Sequence, residues 1–392
     1  MRTIALDLGK ASIDWCEVEQ GKVVARGRVG NLQELQPILN GESGAVRVGF
    51  EACREALHAH DVMLSWGHVP YVFDTTCVRS FAGIGQHGRK NDRIDAERLA
   101  IALERDHAKF AHVLGQDARR LRELQEQHRA LVETRKRLVI HVRGILRGRG
   151  VDLPSCAIES FVSNLRKAQR EGTVTTSWVD SLLKPLEALE PEIAKVDLQI
   201  HELCTHQKDP VIERLASVPG VSLLVAAAFI SVIDTADRFD NASQVSSYLG
   251  LCPGENSTGG RRKLGSITKQ GNPYARGLLV QAAWCVLRSR DTKDQLVRWA
   301  HKTSKRRGRM RAAVAVARRL SRILYSLWKH GTYYDPRGAT PLEQKDADGV
   351  KALKREVLER SAKSGTLKLA RQKRVHQRTL EAAKLSEGQS AN

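Results

Sequence analysis

The chain has 392 residues, 41% of them hydrophobic, and a formal net charge of +20, which is ample for more than one packed core and excludes a wholly disordered chain. The charge is unevenly spread: residues 1–115 hold 14 basic and 15 acidic side chains, a net of −1, whereas residues 256–340 hold 20 basic and 3 acidic, a net of +17. A polyanion partner is therefore expected at the C-terminal half, and a membrane is not, because the longest apolar run, LLVAAAFISVI (223–233), is too short to span a bilayer.

TIALDLG, SIDWCEV and KVVARGRV are three β-type runs separated by turn-length gaps, the pattern of an antiparallel meander. VRVGFE (46–51) and VPYVFD (69–74) are two more, each followed by a stretch with helical character, so a mixed α/β layer is predicted over residues 1–110. From about residue 117 the period changes. Leu124, Leu131, Leu138 and Ile145 recur every seven residues, with Val132, Val139 and Leu146 alongside. Leu182, Leu186, Leu189, Ile193, Val196, Ile200 and Leu203 then alternate in steps of four and three. That spacing predicts two long helices pairing as a coiled coil, broken at RGRGVDLPS (147–155), with a kink or a fresh start at Pro191. Residues 211–335 read as a third, mostly helical unit in which RMRAAVAVARRLSRILYSLWK (309–329) is a basic amphipathic helix. The expected fold class is thus α/β plus all-α, divided at 1–115, 116–210, 211–335 and a charged tail, 336–392. Seven scattered cysteines without a CxxC pair exclude a dense disulfide framework and the usual zinc spacing, and are expected to be reduced, mostly buried thiols. The opening MRTIALDLGK has an Asp where a secretory leader needs an apolar segment, so a cytoplasmic protein is expected.

Four acids stand out. Asp7 ends the first strand, Glu51 ends the fourth, and Asp92 and Asp95 open a helix in NDRIDAERLAIALE. An i, i+3 pair shares a helical face, which continues through Leu99 and Leu103, so these carboxylates extend an inward stripe. Unpaired carboxylates there repel one another, and a divalent cation relieves that cost. Oxygen-only ligands favour Mg²⁺ or Mn²⁺. Taken singly, Asp92 also suits a helix N-cap, Asp7 a turn, and Glu51 a pairing with Arg47 or Arg54.

The segment PGENSTGGRRKLGSITKQGNP (253–273) places a Ser-Thr pair before two glycines, with no acidic residue between Glu255 and Asp291. Gly259 and Gly260 let backbone N–H groups approach an anion, while Arg261, Arg262, Lys263 and Lys269 neutralise phosphates. A hydroxyl held there is placed to attack a phosphodiester; a plain nucleic-acid-binding loop is the simpler alternative. LASVPGVSLL has the form of one helix-hairpin-helix unit, or equally of a tight turn between core helices. Arg276, Arg318, Arg319 and Arg322 are further candidates for contact with DNA or RNA.

The succession ALDLGK, GFEACRE, NDRIDAERLA, a heptad region, LASVPGV, SSYLGLCPGENSTGG, LGSITKQGN and ARGLLVQAAW resembles the DEDD insertion-sequence transposases, the bridge-RNA-guided recombinases related to pilin-gene invertases. The resemblance covers about residues 1–335. It implies an RNase H-like N-terminal domain, similar to Holliday-junction resolvases, whose four acids match Asp7, Glu51, Asp92 and Asp95 and hold Mg²⁺. It also implies a catalytic serine that cuts DNA through a covalent phosphoserine. Aligned backward from ITKQG that serine is Ser257; aligned forward from LGLCP the position is Thr258, and Ser257 is taken because it is the serine. Implied partners are donor and target DNA, a noncoding guide (bridge) RNA, and further copies of the chain: a dimer, and a tetramer in synapsis. Within the oligomer, acids of one subunit would complete a site with the serine of another. Nucleoid association on DNA follows from the same resemblance.

Three rival readings follow from the same residues. One is a hydrolytic RNase H-like nuclease or Holliday-junction resolvase using the acids alone. DLGKAS also resembles the first phosphate loop of actin-like ATPases, but no second Asp-x-Gly loop occurs at a suitable place. A non-enzymatic nucleic-acid scaffold would leave the four acids without a purpose.

Overall fold

The computed structural model describes residues 1–40, 44–74, 92–106, 109–172, 174, 179–205, 211–255 and 263–337, with the backbone alone at 92–94 and 205. It forms two compact units, Met1–Leu114 and Gly115–Asn392.

In the first unit the β-branched runs form β1 (Thr3–Leu8), β2 (Ile13–Glu19) and β3 (Lys22–Val29). A short helical turn and α1 (Gln36–Leu39) lead to β4 (Arg47–Glu51), α2 (Ala56–Ser65), β5 (Val69–Phe73) and α3 (Asp92–Glu104). The sheet order is β3-β2-β1-β4-β5; the first three strands are antiparallel, and β4 runs parallel to both β1 and β5. Strand alternation divides the side chains between two cores. Ile4, Leu6, Ile13, Val48, Phe50 and Val72 pack with Leu39, Ala59 and Met63 on one face. Ala5, Cys16, Val18 and Phe73 pack with Ala96, Leu99, Ala100 and Leu103 of α3 on the other. Gly49 lies under α3, and a Cβ there would stand 2.7 Å from Phe73 and 2.9 Å from Leu103.

The second unit begins with α4 (Gln116–Gly148), α5 (Phe161–Arg170) and α6 (Asp180–Thr205). It continues with α7 (Val211–Ala216), α8 (Leu223–Ile233), α9 (Ala242–Tyr248), the hairpin β6 (Pro253–Glu255)–β7 (Leu264–Ile267), α10 (Pro273–Arg288), α11 (Gln295–Arg307) and α12 (Arg309–His330). Helix α8 is apolar on every side and every residue from Val225 to Ile233 is buried, as a helix must be when others surround it. The run at 223–233 is therefore a core helix. Among the described residues no helix is long and apolar enough to cross a membrane.

Helices α4 and α6 pack along one another, but α4 does not bury the seam that its leucines suggest. Leu124, Leu131, Leu138 and Ile145 are half-buried, whereas Leu121, Gln125, Arg135, Val139, Val142 and Leu146 are buried. Two of those are polar, and both are partnered. Ser231 donates to Gln125 Oε1 at 3.0 Å, and Arg135 donates to Glu159 at 3.0 Å and Glu190 at 3.1 Å. The α4 surface faces α8 and the 158–160 turn as well as α6, so several partners rotate it away from a single two-helix seam. Pro191 starts no new helix; α6 runs unbroken through Pro185 and Pro191. The cysteines also depart from expectation: Cys16 and Cys204 are buried, Cys156 and Cys252 half-buried, and Cys53 and Cys285 exposed. Burial pushes the Cys16 thiol up to about 11 and that of Cys204 to about 12, so both stay protonated. Cys77 lies outside the described residues.

Gly49→Val should cost about 1–3 kcal/mol through overpacking between β4 and α3. Gly144→Ala, with nothing near its Cβ in the interior of α4, should stabilise by about 1 kcal/mol. Thermal or urea unfolding of the two variants checks both signs.

Candidate active site

The sheet register decides where the acids stand. Leu6 pairs with Phe50 across the parallel β1–β4 ladder, so Asp7 and Glu51, each one residue further on, occupy matching positions at the ends of neighbouring strands. Their parity is that of Ala5 and Gly49, so both belong to the α3 face. Helix α3 runs antiparallel to β1. Its last residue, Glu104, accepts a hydrogen bond from Gly21 N–H at 2.7 Å, beside the start of β1, where Thr3 pairs with Val18. Counting back from Glu104 to Asp95 rises about 13 Å at 1.5 Å per helical residue. Thr3 to Asp7 spans about 13 Å along the strand. Asp95 and Asp92 lie in the opening turn of α3, at the end away from Glu104.

Asp95 also forms an ion pair with Arg98 at 3.6 Å, and Leu99 and Leu103, which continue its stripe, are buried as expected. Asp7, Glu51 and Asp95 are half-buried. The side chain of Asp92 lies outside the description. Among the described residues no group of three or more His, Cys, Asp or Glu side chains is close enough to share a metal ion. The carboxylates thus share one edge and one face without closing into a ligand cage.

Sequence reasoning missed a further carboxylate in this row. Asp14 on β2 pairs directly with Asp7, and Arg28 on β3 pairs with Asp14. Asp14 is only 2% exposed and takes a two-pronged contact from Arg28, 2.7 Å from Nη2 and 3.0 Å from Nε. Arg28 offsets the cost of burying one carboxylate beside another. The alternation of SIDWCEV against TIALDL, once paired, was the signal available. An all-oxygen row carrying one arginine is a donor set that suits a hard divalent cation such as Mg²⁺.

In the second unit, Ser257, Thr258, Gly259, Gly260, Arg261 and Arg262 lie outside the described residues. The strands that flank them, β6 and β7, pair antiparallel, and Lys263 and Lys269 are exposed. The base of the hairpin is clamped. Gly250 and Gly271 have φ of +66° and +72°, a region that side chains rarely adopt. A Cβ on Gly250 would collide with Gln270 backbone, and one on Gly271 with the Tyr248 carbonyl. Arg276 Nη1 donates to both loops, to Leu249 O at 3.2 Å and Gln270 O at 2.8 Å. Its contacts hold the fold of the hairpin base. The LASVPGV turn packs on α10, where a Cβ on Gly220 would stand 2.5 Å from Ala282 O.

Arg318, Arg319 and Arg322 do share a surface. With Ala315, Ile323 and Ser326 of α12, Ala242 of α9 and Trp299 of α11 they line a groove of about 690 Å³. The guanidinium of Arg319 stacks 4.5 Å from the centre of the Trp299 ring.

Known proteins carry the same parts. Residues 4–149, which include all four acids, match the IS110 DEDD model described as Transposase. Residues 212–315, which include the hairpin, match the model described as Transposase IS116/IS110/IS902 family. Two long stretches of the chain thus match the IS110/IS116-family DEDD transposases. The chain is 29% identical over 351 residues to the "Probable family 20 transposase" of Pseudomonas aeruginosa, across 85% of this chain and 98% of that protein. It is 26% identical over 334 residues to the transposase for insertion sequence element IS1111A of Coxiella burnetii, covering 83% of this chain and 89% of the relative. The transposase for IS1328 of Yersinia enterocolitica is 25% identical over 338 residues, 84% and 98% of the two chains.

If Arg276 is a clamp and not a phosphate ligand, Arg276→Ala should lower stability by about 1–3 kcal/mol and leave the salt dependence of DNA binding unchanged. Loss of a phosphate contact would instead reduce the log–log salt slope by about 0.9. A salt titration of DNA affinity, beside thermal unfolding, separates the two.

Proposed function

We propose that this transposase cuts and exchanges DNA strands through a covalent phosphoserine on Ser257, with Asp7, Glu51, Asp92 and Asp95 holding Mg²⁺ for the same phosphodiester. The observation that carries this reading is the register that aligns Asp7 with Glu51 on the face and at the edge where α3 begins with its two acids. Oxygen-only donors suit Mg²⁺ or Mn²⁺, and DEDD transposases typically use divalent ions. The bound ion would supply charge stabilisation at the phosphoryl oxygens.

The chain's own residues do the rest. The Ser257 hydroxyl gives up its proton, its Oγ bonds to phosphorus, and the bond from phosphorus to the bridging oxygen of the leaving strand breaks, that oxygen leaving as a hydroxyl. The new ester retains the energy of the broken one, so the reverse attack by another strand end needs no ATP. Gly259 and Gly260 admit the backbone to the phosphate, and Arg261, Arg262, Lys263 and Lys269 hold the strand. Asp14, fixed by Arg28, orients and charges the neighbourhood of Asp7.

The finer partners belong to this same reading: donor and target DNA, a noncoding guide RNA that carries target choice by base pairing, and an RNase H-like fold for the first unit. The α6 seam, residues 182–203, is read as a coiled-coil element of a homo-oligomer, supported by the heptad spacing of Leu182, Leu186, Leu189, Ile193, Val196, Ile200 and Leu203. The second reading, hydrolysis by the acids alone, is favoured by the fact that the acidic row belongs to one unit by itself.

Incubation of the full chain with Mg²⁺ and DNA carrying the insertion-sequence ends, together with any RNA that co-purifies, tests the chemistry. Ser257→Ala should abolish the denaturant-resistant protein–DNA adduct and slow cleavage on the order of 10³-fold or more. Thr258→Ala should keep the adduct. Asp7→Asn should slow cleavage on the order of 10²–10³-fold. A Ser257→Ala protein that cuts at the normal rate would establish the hydrolytic reading instead.

A further inference from the structure

The groove on α12 has a composition that a general DNA-facing helix does not require. Among the described residues that line it, the charged side chains are three arginines and none is acidic. Residues 315, 319, 322 and 326 follow one another at three- and four-residue steps, as do 315, 319, 323 and 326, so they share one side of α12. The opposite face, through Ala312, Ala313, Val316, Leu320 and Leu324, is buried in the core, which holds the arginine face rigidly outward. Between the guanidinium groups the lining is apolar: Ala242, Ala315 and Ile323, with the indole of Trp299. Arg319, stacked 4.5 Å from the Trp299 ring centre, fixes that ring by a cation–π contact and adds a second flat surface to it. Ser326 supplies one hydroxyl.

A ligand matching this lining has a flat, weakly polar face and an anion a few ångströms away. A nucleotide has both. The volume, about 690 Å³, is within the usual range of about 300–1,000 Å³ for small-ligand sites. That is room for a nucleotide or two. Aromatic and guanidinium stacking surfaces within a cationic groove are how proteins hold single strands without reading sequence.

We propose that the Trp299–Arg319 groove holds an unpaired nucleotide of a single-stranded segment, its base against the indole and the apolar floor and its phosphates on Arg318 and Arg322. This deepens, and rests on, the reading of the basic unit as the nucleic-acid-binding half, but it is independent of the serine chemistry. None of the residues that line the groove belongs to the acidic row or to the β6–β7 strands. The strand is the DNA displaced during exchange or an unpaired stretch of RNA. Both present the same chemistry and differ here in the 2′-hydroxyl.

The test uses the full chain carrying Ser257→Ala, so that cleavage does not consume the probe. Eight-nucleotide single strands of mixed sequence, as DNA and as RNA, are compared with a DNA duplex of the same sequence by fluorescence anisotropy over a salt series. Trp299→Leu should weaken single-strand binding about tenfold, the scale of one lost base stack, and change duplex binding less than twofold. Trp299→Phe should restore most of the loss. Replacing Arg318 and Arg322 together by Gln should lower the single-strand salt slope by about 1.4, or 0.7 per charge removed. Photocrosslinking of 4-thiothymidine and 4-thiouridine strands to the protein with an intact groove guards against a misfolded variant and should map to Trp299 or to residues 315–326. Whichever of the two strands binds tighter identifies the source. Equal losses on single strand and duplex, no loss with Trp299→Leu, or crosslinks confined to other peptides would each overturn the proposal. None of these outcomes bears on whether Ser257 forms the adduct, which is read in the protein that retains the serine.

Discussion

The parallel pairing of β1 with β4 is the constraint on which the acidic site depends. Side chains alternate along a strand, so a slip of one residue in that pairing would send either Asp7 or Glu51 into the core formed by Ile4, Leu6, Val48 and Phe50. Burying those apolar residues on one face is what fixes the register, and the carboxylates follow on the other. The same ladder continues outward through Asp14 to Arg28, giving one row in which only the outermost member is basic. Helix α3 closes over this face because Ala96, Leu99, Ala100 and Leu103 match the small residues Ala5 and Gly49 beneath them. Its direction, set where Glu104 meets Gly21, brings its acidic start to the strand ends.

The second unit solves a different problem, which is how to hold many like charges on one surface. A helix as basic as α12 is stable because half of it is not in solvent at all. Leu320 and Leu324 are fully buried, the Ser321 and Ser246 hydroxyls pair at 3.0 Å, and Tyr325 donates to Phe239 O at 2.6 Å. Those contacts tie α12 to α9 and to the turn before it, leaving the arginines to face outward as a set. The hairpin base is rigid for another reason: backbone lies against backbone at Gly250 and Gly271, and one guanidinium group spans both loops.

Local pattern determined a large part of this. All five strands of the first sheet lie where β-branched runs bounded by turns predict them, α3 begins at Asp92, and the basic helix spans 309–330. These features are encoded by residues close in sequence, through side-chain alternation, helical period and turn chemistry, so one chain read alone reveals them. The candidate acids were visible for the same reason, as acids at strand ends and at a helix start. Tertiary structure alone decided the rest. Asp14 gains its meaning only when β2 is laid beside β1, and Arg276 proves to be a bracket between two loops that sequence spacing does not relate. The buried line of α4 runs through Leu121, Val139 and Leu146 and not along its most regular leucines, because α8 and the 158–160 turn share its surface with α6. Trp299 joins Arg318, Arg319 and Arg322 from a different helix. Burial, register and the meeting of distant side chains depend on which surfaces compete for contact, and that competition is settled only when the whole chain packs.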